Sequence, residues 1–331
     1  MRYPPGAMRR RAFLGVLLAA PLLVEVPRRV FAPGGRDGEA QAQQVPTGPV
    51  AGPRRLPQLA ADGPALRYGL SKYEAFQAGA VRAWVDNAVS GSVSVLGRTY
   101  PMESIPGGIE GFVGFGTQDP VGLTPVVISY VDLLGQAGSV RYDLRVLRTQ
   151  WTVYYFTPGE LDADDPPPDP NAPPPPPDEG PLLPGLYAMR TPRKWSGAWQ
   201  APLDGALDVT GYFGEQRSFN GGPPSGHHGG TDLGAPTGTP VRPANAGTVV
   251  LAGRYLVRGN LVVIDHGGGV LSLYGHMNEL AVVTGQPVSK NQVIGYVGST
   301  GLSSGPHLHW ELSVAGVLVD GLRWLDGSQG F

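Results

Sequence analysis

Cysteine is absent from this 331-residue chain. Disulfides, thiolate nucleophiles and thiolate zinc ligands are therefore excluded, because each of them needs a cysteine sulfur. The chain also lacks a glycine-rich loop followed by Lys-Ser or Lys-Thr, and it lacks a dinucleotide-binding glycine fingerprint. Any metal site or catalytic group in this protein must therefore be built from other residue types.

Excess positive charge is missing as well, since the formal net charge is −2. Residues 1–42 hold seven arginines and three acidic residues, which leaves 18 basic and 24 acidic residues in the remainder. The remainder of the chain therefore carries a net charge of −6. Such a balance provides no basic face for nucleic acid or anionic lipid, and neither is expected as a partner.

The N-terminus has the features of an export signal. Arginines at positions 9–11 precede an apolar run over residues 12–24, which is shorter than the roughly 20 residues needed to span a bilayer. The start of this segment, Arg10-Arg11-Ala12-Phe13-Leu14, resembles a twin-arginine signal. A Sec-type signal with additional arginines fits these residues equally well.

A small-x-small cleavage site is present at Ala40-Gln41-Ala42, so residues 1–42 are predicted to be a signal peptide. An earlier site over residues 30–32 is less favourable because Pro33 would follow the cut. We expect the mature protein in the periplasm, the cell wall or the extracellular space, with no membrane span once the signal is removed. Without cleavage the protein would stay tethered to the membrane.

The next part of the chain predicts a linker and then a β domain. Residues 43–65 are rich in Pro, Gly and Gln without periodicity and are interpreted as a linker. Residues 66–158 contain short alternating segments at 81–85, 92–95, 126–131 and 140–146, with a turn predicted at 135–138. Strands at this spacing predict a β-sandwich. It is interpreted as a spacer or folding partner, or else as a module that binds glycan or protein.

Proline and acidic residues dominate the following segment, residues 159–194. Nine of the twelve residues at 166–177 are proline, and seven acidic residues but no basic ones lie between 160 and 179. This composition predicts an extended polyproline II linker that rises about 3.1 Å per residue and can separate two domains.

Strand patterns return in residues 195–331. Apolar segments lie at 247–251, 261–264, 270–274 and 292–297, and three glycines at 267–269 predict a tight turn. No long amphipathic helix is visible. The chain as a whole is therefore predicted to be mostly β, with two domains joined by the proline-rich linker.

Histidines are confined to this last part of the chain. Imidazole is the commonest metal ligand and the usual acid–base group near neutral pH, and packing alone does not explain such crowding. The six positions are His227, His228, His266, His276, His307 and His309.

One pair of histidines lies two residues apart, in His307-Leu308-His309. On a strand, alternate side chains share a face, so the two imidazoles point the same way while the leucine points into the core. Two charged imidazoles in that position would repel each other, and a shared cation removes the repulsion. The pair alone is weak evidence, because it is equally compatible with a structural role.

A second motif is His228-Gly229-Gly230-Thr231-Asp232. Its glycines favour a turn, so it is not the helical His-Glu-x-x-His zinc motif. A tight loop can direct both side chains to one ion. Two imidazoles and one carboxylate are a common catalytic zinc set that leaves a fourth position for water.

These motifs together resemble the lysostaphin/LytM-type zinc metalloendopeptidases of the duplicated-hybrid-motif superfamily. The family pattern is His-x-Gly-x-Asp, Gly-Thr-Pro-Val, a strand ending in His-Gly, Tyr-x-His, and Gly-x-Thr-Gly followed by His-Leu-His. Each part has a counterpart here, in the same order: His228-Gly229-Gly230-Thr231-Asp232, Gly238-Thr239-Pro240-Val241, Asp265-His266-Gly267, Tyr274-Gly275-His276, Gly298-Ser299-Thr300-Gly301 and Gly305-Pro306-His307-Leu308-His309-Trp310-Glu311. The preceding β domain resembles, more weakly, the immunoglobulin-like domain found ahead of some exported members.

The resemblance implies an antiparallel β-sheet peptidase domain at residues 195–331, with one zinc ion per chain. It assigns His228, Asp232 and His309 as metal ligands, and His276 and His307 as catalytic histidines beside the metal. Which of these two accepts a proton and which stabilises the oxyanion is left open. The remaining two histidines, at 227 and 266, are interpreted as structural.

The implied activity is hydrolysis of peptide cross-links in bacterial peptidoglycan, the expected partner. Several members that cut glycine bridges carry a tyrosine shortly before the first ligand, but no tyrosine lies between Tyr212 and His228 here. Direct cross-links, such as those from D-alanine to a diamino acid, are therefore the favoured substrate. Arg217 and Asn220 are candidate substrate contacts.

Two other functions remain open at this stage. One is a non-catalytic module that binds peptidoglycan or activates an amidase, although such relatives typically lose zinc ligands. The other is a zinc protease of exported proteins. The oligomeric state is not predicted.

Overall fold

The computed structural model describes residues 65–156, 174–219, 221–224 and 226–327. The predicted signal peptide and almost all of the first linker lie outside these residues, as do the last two residues of the predicted β-sandwich and residues 159–173 of the proline-rich linker. Within the described residues, no helix is long and apolar enough to cross a membrane. Strands dominate both halves of the chain, which confirms the mostly β prediction.

The N-terminal unit is built from eight strands, followed by a short ninth. Their bounds are β1 (Arg67–Leu70), β2 (Glu74–Phe76), β3 (Ala80–Asp86), β4 (Ala88–Val95), β5 (Arg98–Ile105), β6 (Gly108–Gly114), β7 (Gly122–Asp132), β8 (Ala137–Leu147) and β9 (Val153–Phe156). The first eight form one hydrogen-bonded path in the order β1-β3-β6-β5-β4-β7-β8-β2. The immunoglobulin-like assignment of this unit stays a prediction.

Buried and exposed side chains alternate along several of these strands, as the sequence pattern predicts for a sheet with one face on the core. In β8, Val140, Tyr142, Leu144 and Val146 are buried, while the residues between them are exposed or half-buried. Period-2 burial of this kind places one face of the strand on the core and the other towards water. The turn predicted between β7 and β8 is present, and Asp132 accepts hydrogen bonds there from two backbone N–H groups.

The C-terminal unit contains twelve short strands. Their bounds are β10 (Asp208–Gly211), β11 (Gln216–Phe219), β12 (Thr231–Gly234), β13 (Pro240–Val241), β14 (Gly247–Arg254), β15 (Asn260–Gly267), β16 (Val270–Met277), β17 (Glu279–Leu280), β18 (Pro287–Val288), β19 (Gly295–Tyr296), β20 (His307–Val314) and β21 (Val317–Val319). The main sheet follows the order β10-β12-β20-β16-β15-β14-β18, with β21 paired to β20.

Smaller pairings complete this unit. A three-stranded sheet has the order β13-β19-β17, and β9 runs parallel to β11. Short helical turns lie at α1 (Leu183–Tyr187) and at a 3-10 helix (Gly321–Trp324). The centre of the main sheet is covered on both faces, because every residue of β16 is buried. A strand covered on both faces needs a nearly continuous apolar sequence, which β15 and β16 have.

The two units pack directly against each other. Phe112 from β6 lies on Trp195, with ring centroids 5.6 Å apart. Glu110, which is 1% exposed, pairs with Arg82 at 2.7 Å and with Arg193 at 2.9 Å. A buried carboxylate needs such partners, since an uncompensated buried charge is strongly destabilising. The interface therefore fixes the N-terminal unit against the second one.

The described part of the proline-rich linker, residues 174–194, lies on the C-terminal unit. Leu183 packs with four residues from the outer face of the central sheet, Leu261, Val263, Leu271 and Leu273. Leu256 donates a backbone hydrogen bond to the carbonyl of Pro177 at 3.0 Å. This half of the linker is thus packed onto the sheet.

His266 occupies a structural place in the sheet. It is fully buried, with Nδ1 2.8 Å from the carbonyl oxygen of Ala246 and Nε2 2.7 Å from the hydroxyl of Ser272. Its ring meets Trp199 edge to face at 4.8 Å. Burial lowers the pKa of His266 to about 4, so its ring is neutral in the folded protein at pH 7.

A pH dependence of stability follows. The unfolded chain binds a proton at His266 near pH 6.5, and the folded protein binds it only near pH 4. Stability is therefore lost as the pH falls between these values, by about 3 kcal/mol from this residue. Denaturant unfolding of the metal-free protein between pH 7 and 4 should show this loss. The variant His266→Gln should have a shallower pH slope, and an unchanged slope would contradict the assignment.

Candidate metal centre

Three neighbouring strands of the main sheet carry the site. In the antiparallel register, Asp232 of β12 lies opposite His309 of β20, and Gly275 of β16 lies opposite His309 on the other side. His307 lies opposite Gly234, two positions along the same pair of strands. Strand alternation places the two histidines of β20 on one face, while Leu308 between them is fully buried.

A compact donor cluster results from this register. His228, Asp232 and His309 each direct one donor atom into a space in which these atoms lie within 4.8 Å of one another. Nε2 of His228 is 3.3 Å from Nδ1 of His309 and 3.3 Å from Oδ1 of Asp232. Nδ1 of His309 is 2.7 Å from the same oxygen. The three residues predicted as ligands are therefore brought together.

The cluster fits a zinc ion in its donor set and its spacing. Two nitrogen ligands of a tetrahedral zinc ion, each about 2.0–2.1 Å from the metal, lie about 3.3 Å apart. Two of the three separations have this value, and the third is a hydrogen bond between His309 and Asp232. Such a set leaves one tetrahedral position for water or substrate.

His228 is oriented by the backbone around it. Its Nδ1 lies 3.0 Å from the carbonyl oxygen of Tyr212, so this nitrogen carries the proton and Nε2 faces the cluster. Its own N–H donates to the carbonyl of Glu215 at 2.8 Å. A second contact of this kind on each ligand is the usual way in which proteins fix a metal-binding imidazole.

Asp232 carries the negative charge of the donor cluster. Burial by itself raises the pKa of this carboxyl, but the adjacent imidazoles of His228 and His309 hold the pKa well below its ordinary value. The carboxylate is therefore ionised throughout the neutral range. It supplies the negative charge that a divalent ion needs from its ligands.

His309 lies between two carboxylates. Its Nδ1 faces Asp232, and its Nε2 is 2.9 Å from Oε1 of the buried Glu311. Burial lowers the pKa of His309, but the hydrogen bonds with Asp232 and Glu311 outweigh that effect and raise the pKa to about 9 in the metal-free protein. With Nε2–H donated to Glu311, Nδ1 is the nitrogen available to a metal.

The second histidine pair borders the cluster. The ring of His276 lies 4.8 Å from that of His307 and 5.8 Å from that of His309, measured between centroids. His276 has a φ of 60°, which is costly for a residue with a side chain. Its N–H donates to the carbonyl of Arg258 at 2.7 Å, and its Nδ1 is 2.8 Å from the carbonyl oxygen of Thr300.

These contacts turn Nε2 of His276 away from the backbone. Burial, together with the nearby His309 and His307, lowers the pKa of His276 to about 4, so its ring is neutral at pH 7. His307 has its Nδ1 2.9 Å from the carbonyl oxygen of Gly305, and its Nε2 is 3.7 Å from Oδ1 of Asp232. Both predicted catalytic histidines therefore lie beside the donor cluster.

The remaining predicted residues are Arg217, Asn220 and His227. Arg217 lies on β11, opposite Tyr154 of β9 in the parallel ladder. Asn220 lies outside the described residues. His227 is half-buried, with Nδ1 2.8 Å from the carbonyl oxygen of Gly214 and its ring 5.4 Å from that of Trp151. A structural role for His227 stays a prediction.

Sequence reasoning assigned no role to the charged residues behind His309. Glu311 shares the strand face of His307 and His309, and this two-residue spacing is the signal that could have identified it. Glu311 accepts hydrogen bonds from Arg258 and Tyr187. These two positions lie 53 and 124 residues away, and the strand pattern of β20 gives no signal for either.

Comparison with known proteins places the site in a family. Residues 226–321 match the family described as Peptidase family M23. A peptidoglycan DD-endopeptidase of Vibrio cholerae, ShyA, is 44% identical over 96 residues, which are 29% of this chain and 22% of the relative. A DD-carboxypeptidase/endopeptidase of Neisseria meningitidis, Mpg, is 46% identical over 93 residues, 28% of this chain and 21% of the relative. The chain thus matches about a fifth of the length of these relatives.

Similarity of fold extends beyond the matched range. A solved structure from Pseudomonas aeruginosa, described provisionally as a peptidase M23, superposes with a TM-score of 0.52 at 24% identity. The superposition covers 76% of this chain and 94% of that one. At this identity the likeness concerns the fold alone. Residues 226–321, which contain the donor cluster and both neighbouring histidines, form a peptidase family M23 domain.

Proposed function

We propose that this chain is a zinc metalloendopeptidase that hydrolyses peptide cross-links of bacterial peptidoglycan. The observation that carries the proposal is the convergence of His228, Asp232 and His309 inside the M23 domain, with two further histidines beside them. A loss of any ligand would favour a binding module instead, and all three are present.

The donor cluster would hold the ion through two imidazole nitrogens and one carboxylate oxygen. When bound, zinc lowers the pKa of a coordinated water towards about 7 and polarises a carbonyl group. His228 would present its unprotonated Nε2, and His309 its Nδ1 once that nitrogen has lost its proton, because the other nitrogen of each ring is held by Tyr212 or Glu311. The ligand geometry is thus set before the ion arrives.

His276 is suited to accept the proton of the attacking water. Its Nδ1 donates to the carbonyl of Thr300, which leaves the lone pair of Nε2 free to take a proton. The same nitrogen can pass the proton to the leaving amine. His307 is assigned to the oxyanion in its doubly protonated form, because Nδ1–H is held by the carbonyl of Gly305 and Nε2–H would then donate from the side of Asp232.

Direct cross-links are the favoured substrate. The named activities of the relatives ShyA and Mpg are peptidoglycan DD-endopeptidase and DD-carboxypeptidase/endopeptidase. Absence of a tyrosine between Tyr212 and His228 argues against a preference for glycine bridges. We therefore assign the bond from D-alanine to a diamino acid.

Export and the role of the first domain belong to the same proposal. Residues 1–42 would direct the chain to the periplasm, the cell wall or the extracellular space, where peptidoglycan lies. The eight-stranded unit would act as an immunoglobulin-like support. Two contacts between the units argue for this role: the ion pair of Glu110 with Arg193 and the packing of Phe112 against Trp195.

Two variants separate metal binding from turnover. His309→Ala should lose the metal, because one of three ligands is removed. His307→Ala should retain most of the zinc and lose turnover by about 10²–10³-fold, the typical cost of one oxyanion donor. Metal analysis and hydrolysis rates on the same preparations test this. Equal loss of zinc in both variants would show that the roles are misassigned.

Digestion of purified sacculi tests the substrate. The zinc-loaded protein should release muropeptides with new amino termini on the diamino acid, and His307→Ala should release them about 10²–10³-fold more slowly. Mass spectrometry of the fragments identifies the bond. No release by a fully zinc-loaded protein would favour the binding module. Cleavage confined to Gly-rich exported proteins would favour the protease, and either result would overturn the proposal.

A further inference from the structure

A short segment of the linker reaches the metal centre from behind. Residues 177–187, called the strap here, join the proline-rich stretch to the C-terminal unit and end with α1. They lie outside the matched family range of 226–321. Two of their side chains, Glu179 and Tyr187, enter the buried charge network beneath His309.

Glu179 is fully buried, although it belongs to a run of acidic and proline residues. Its carboxylate accepts backbone N–H bonds from Val257 at 3.2 Å and from Arg258 at 2.8 Å. The guanidinium of Arg258 adds a third contact at 3.3 Å. Burial of a carboxylate is tolerated only with such partners, so the strap and this loop hold each other in place.

Arg258 transmits this anchoring to the metal ligand. Its Nε and Nη2 donate to Oε1 of Glu311 at 2.8 and 2.6 Å. Tyr187 donates its hydroxyl to the other oxygen, Oε2, at 2.7 Å. Both oxygens of Glu311 are therefore fixed, and Oε1 also receives Nε2–H of His309 at 2.9 Å.

The same loop supports the neighbouring histidine. The carbonyl of Arg258 accepts the backbone N–H of His276, the residue held at a φ of 60°. A strained backbone persists only where the surroundings over-determine it. One loop, held by Glu179, thus orients a metal ligand through its side chain and a catalytic histidine through its backbone.

We propose that Glu179 and Tyr187 are positioning residues for the metal centre, which makes the strap part of the catalytic unit. They act through Arg258 and Glu311, which hold His309 with Nδ1 turned to the metal. The inference rests on the proposed zinc function. Contacts behind a metal-binding histidine typically affect metal affinity or activity by 10–100-fold.

Zinc affinity of the full-length protein tests the inference. The variants Glu179→Gln and Tyr187→Phe should each bind zinc about 10–100-fold more weakly, as measured by competition with a chromophoric chelator. Their cobalt-substituted forms should show a shifted visible spectrum, because the orientation of His309 changes. On peptidoglycan fragments, kcat should fall while KM stays near the wild-type value, since neither residue reaches the open face of the site.

Matched control variants exclude general effects of charge or hydroxyl loss. Asp178→Asn removes an exposed carboxylate next to Glu179, which accepts the N–H of Gly180 within the described residues. Tyr255→Phe removes a hydroxyl from a half-buried ring that packs against the apolar cluster around Leu183. Both should keep wild-type zinc affinity and spectrum. Circular dichroism of all four proteins checks that they are folded.

The outcomes separate this inference from the proposed function. Wild-type zinc affinity and cobalt spectrum in both strap variants, with only a lower melting temperature of the metal-free protein, would overturn the inference. If Glu179→Gln fails to fold, Tyr187→Phe decides alone, since it removes a single hydroxyl. Weakened zinc binding without any sacculus cleavage by the wild type would sink the proposed function and leave the inference standing.

Discussion

The hydrogen bond between His309 and the buried carboxylate of Glu311 is the interaction on which the site depends. It determines which nitrogen of the imidazole faces Asp232, and therefore whether the cluster can receive a cation. A carboxylate that is 1% exposed is costly unless its oxygens are paired. Burial raises the pKa of Glu311, but His309 and Arg258 lower it to about 2, so the charge is kept.

Opposite charges are arranged in layers around this bond. Asp232 lies on the open side of His309, and Glu311 lies on the closed side, with Arg258 behind it. Alternation of sign compensates each buried charge locally and gives the imidazole a single orientation. A divalent ion would take the place of the proton on Nδ1, and the hydrogen bond from Nε2 to Glu311 would remain. The free energy needed to bury and orient these charged side chains is therefore supplied when the protein folds.

Local sequence patterns predicted the parts of the site that depend on strand periodicity. The shared face of His307 and His309 follows from a period of two, and the glycines after His228 correctly excluded a helix. The pairing of β12 with β20 joins positions 77 residues apart, which no local pattern specifies. Family resemblance supplied that contact, and the structure brings the residues together.

Local sequence patterns could not predict that the strap packs against the C-terminal unit, and the reason is physical. A run of proline and acidic residues has the composition of a solvated spacer, and a single buried glutamate does not change that average. Burial of Glu179 depends on a loop 79 residues away that offers two backbone donors and a guanidinium. Packing of Leu183 on the outer face of the sheet adds an apolar anchor. Composition describes the segment, whereas its partners decide where it lies.

Direct packing of the two units bears on how such a chain can be recombined. The aromatic cluster of Trp195, Trp199 and Trp324 lies on the C-terminal side of the boundary, and Phe112 of the first unit packs against it. An exchange of residues 226–321 between homologues would keep the metal ligands. It would leave behind Glu179 and Tyr187, whose contacts hold the residues beneath His309. The smallest segment that carries its own supports begins before residue 177. A crossover inside the proline-rich stretch would keep the buried charges behind His309 together, but it would separate Trp195 and Arg193 from their partners Phe112 and Glu110. The two units would therefore have to be exchanged as a pair.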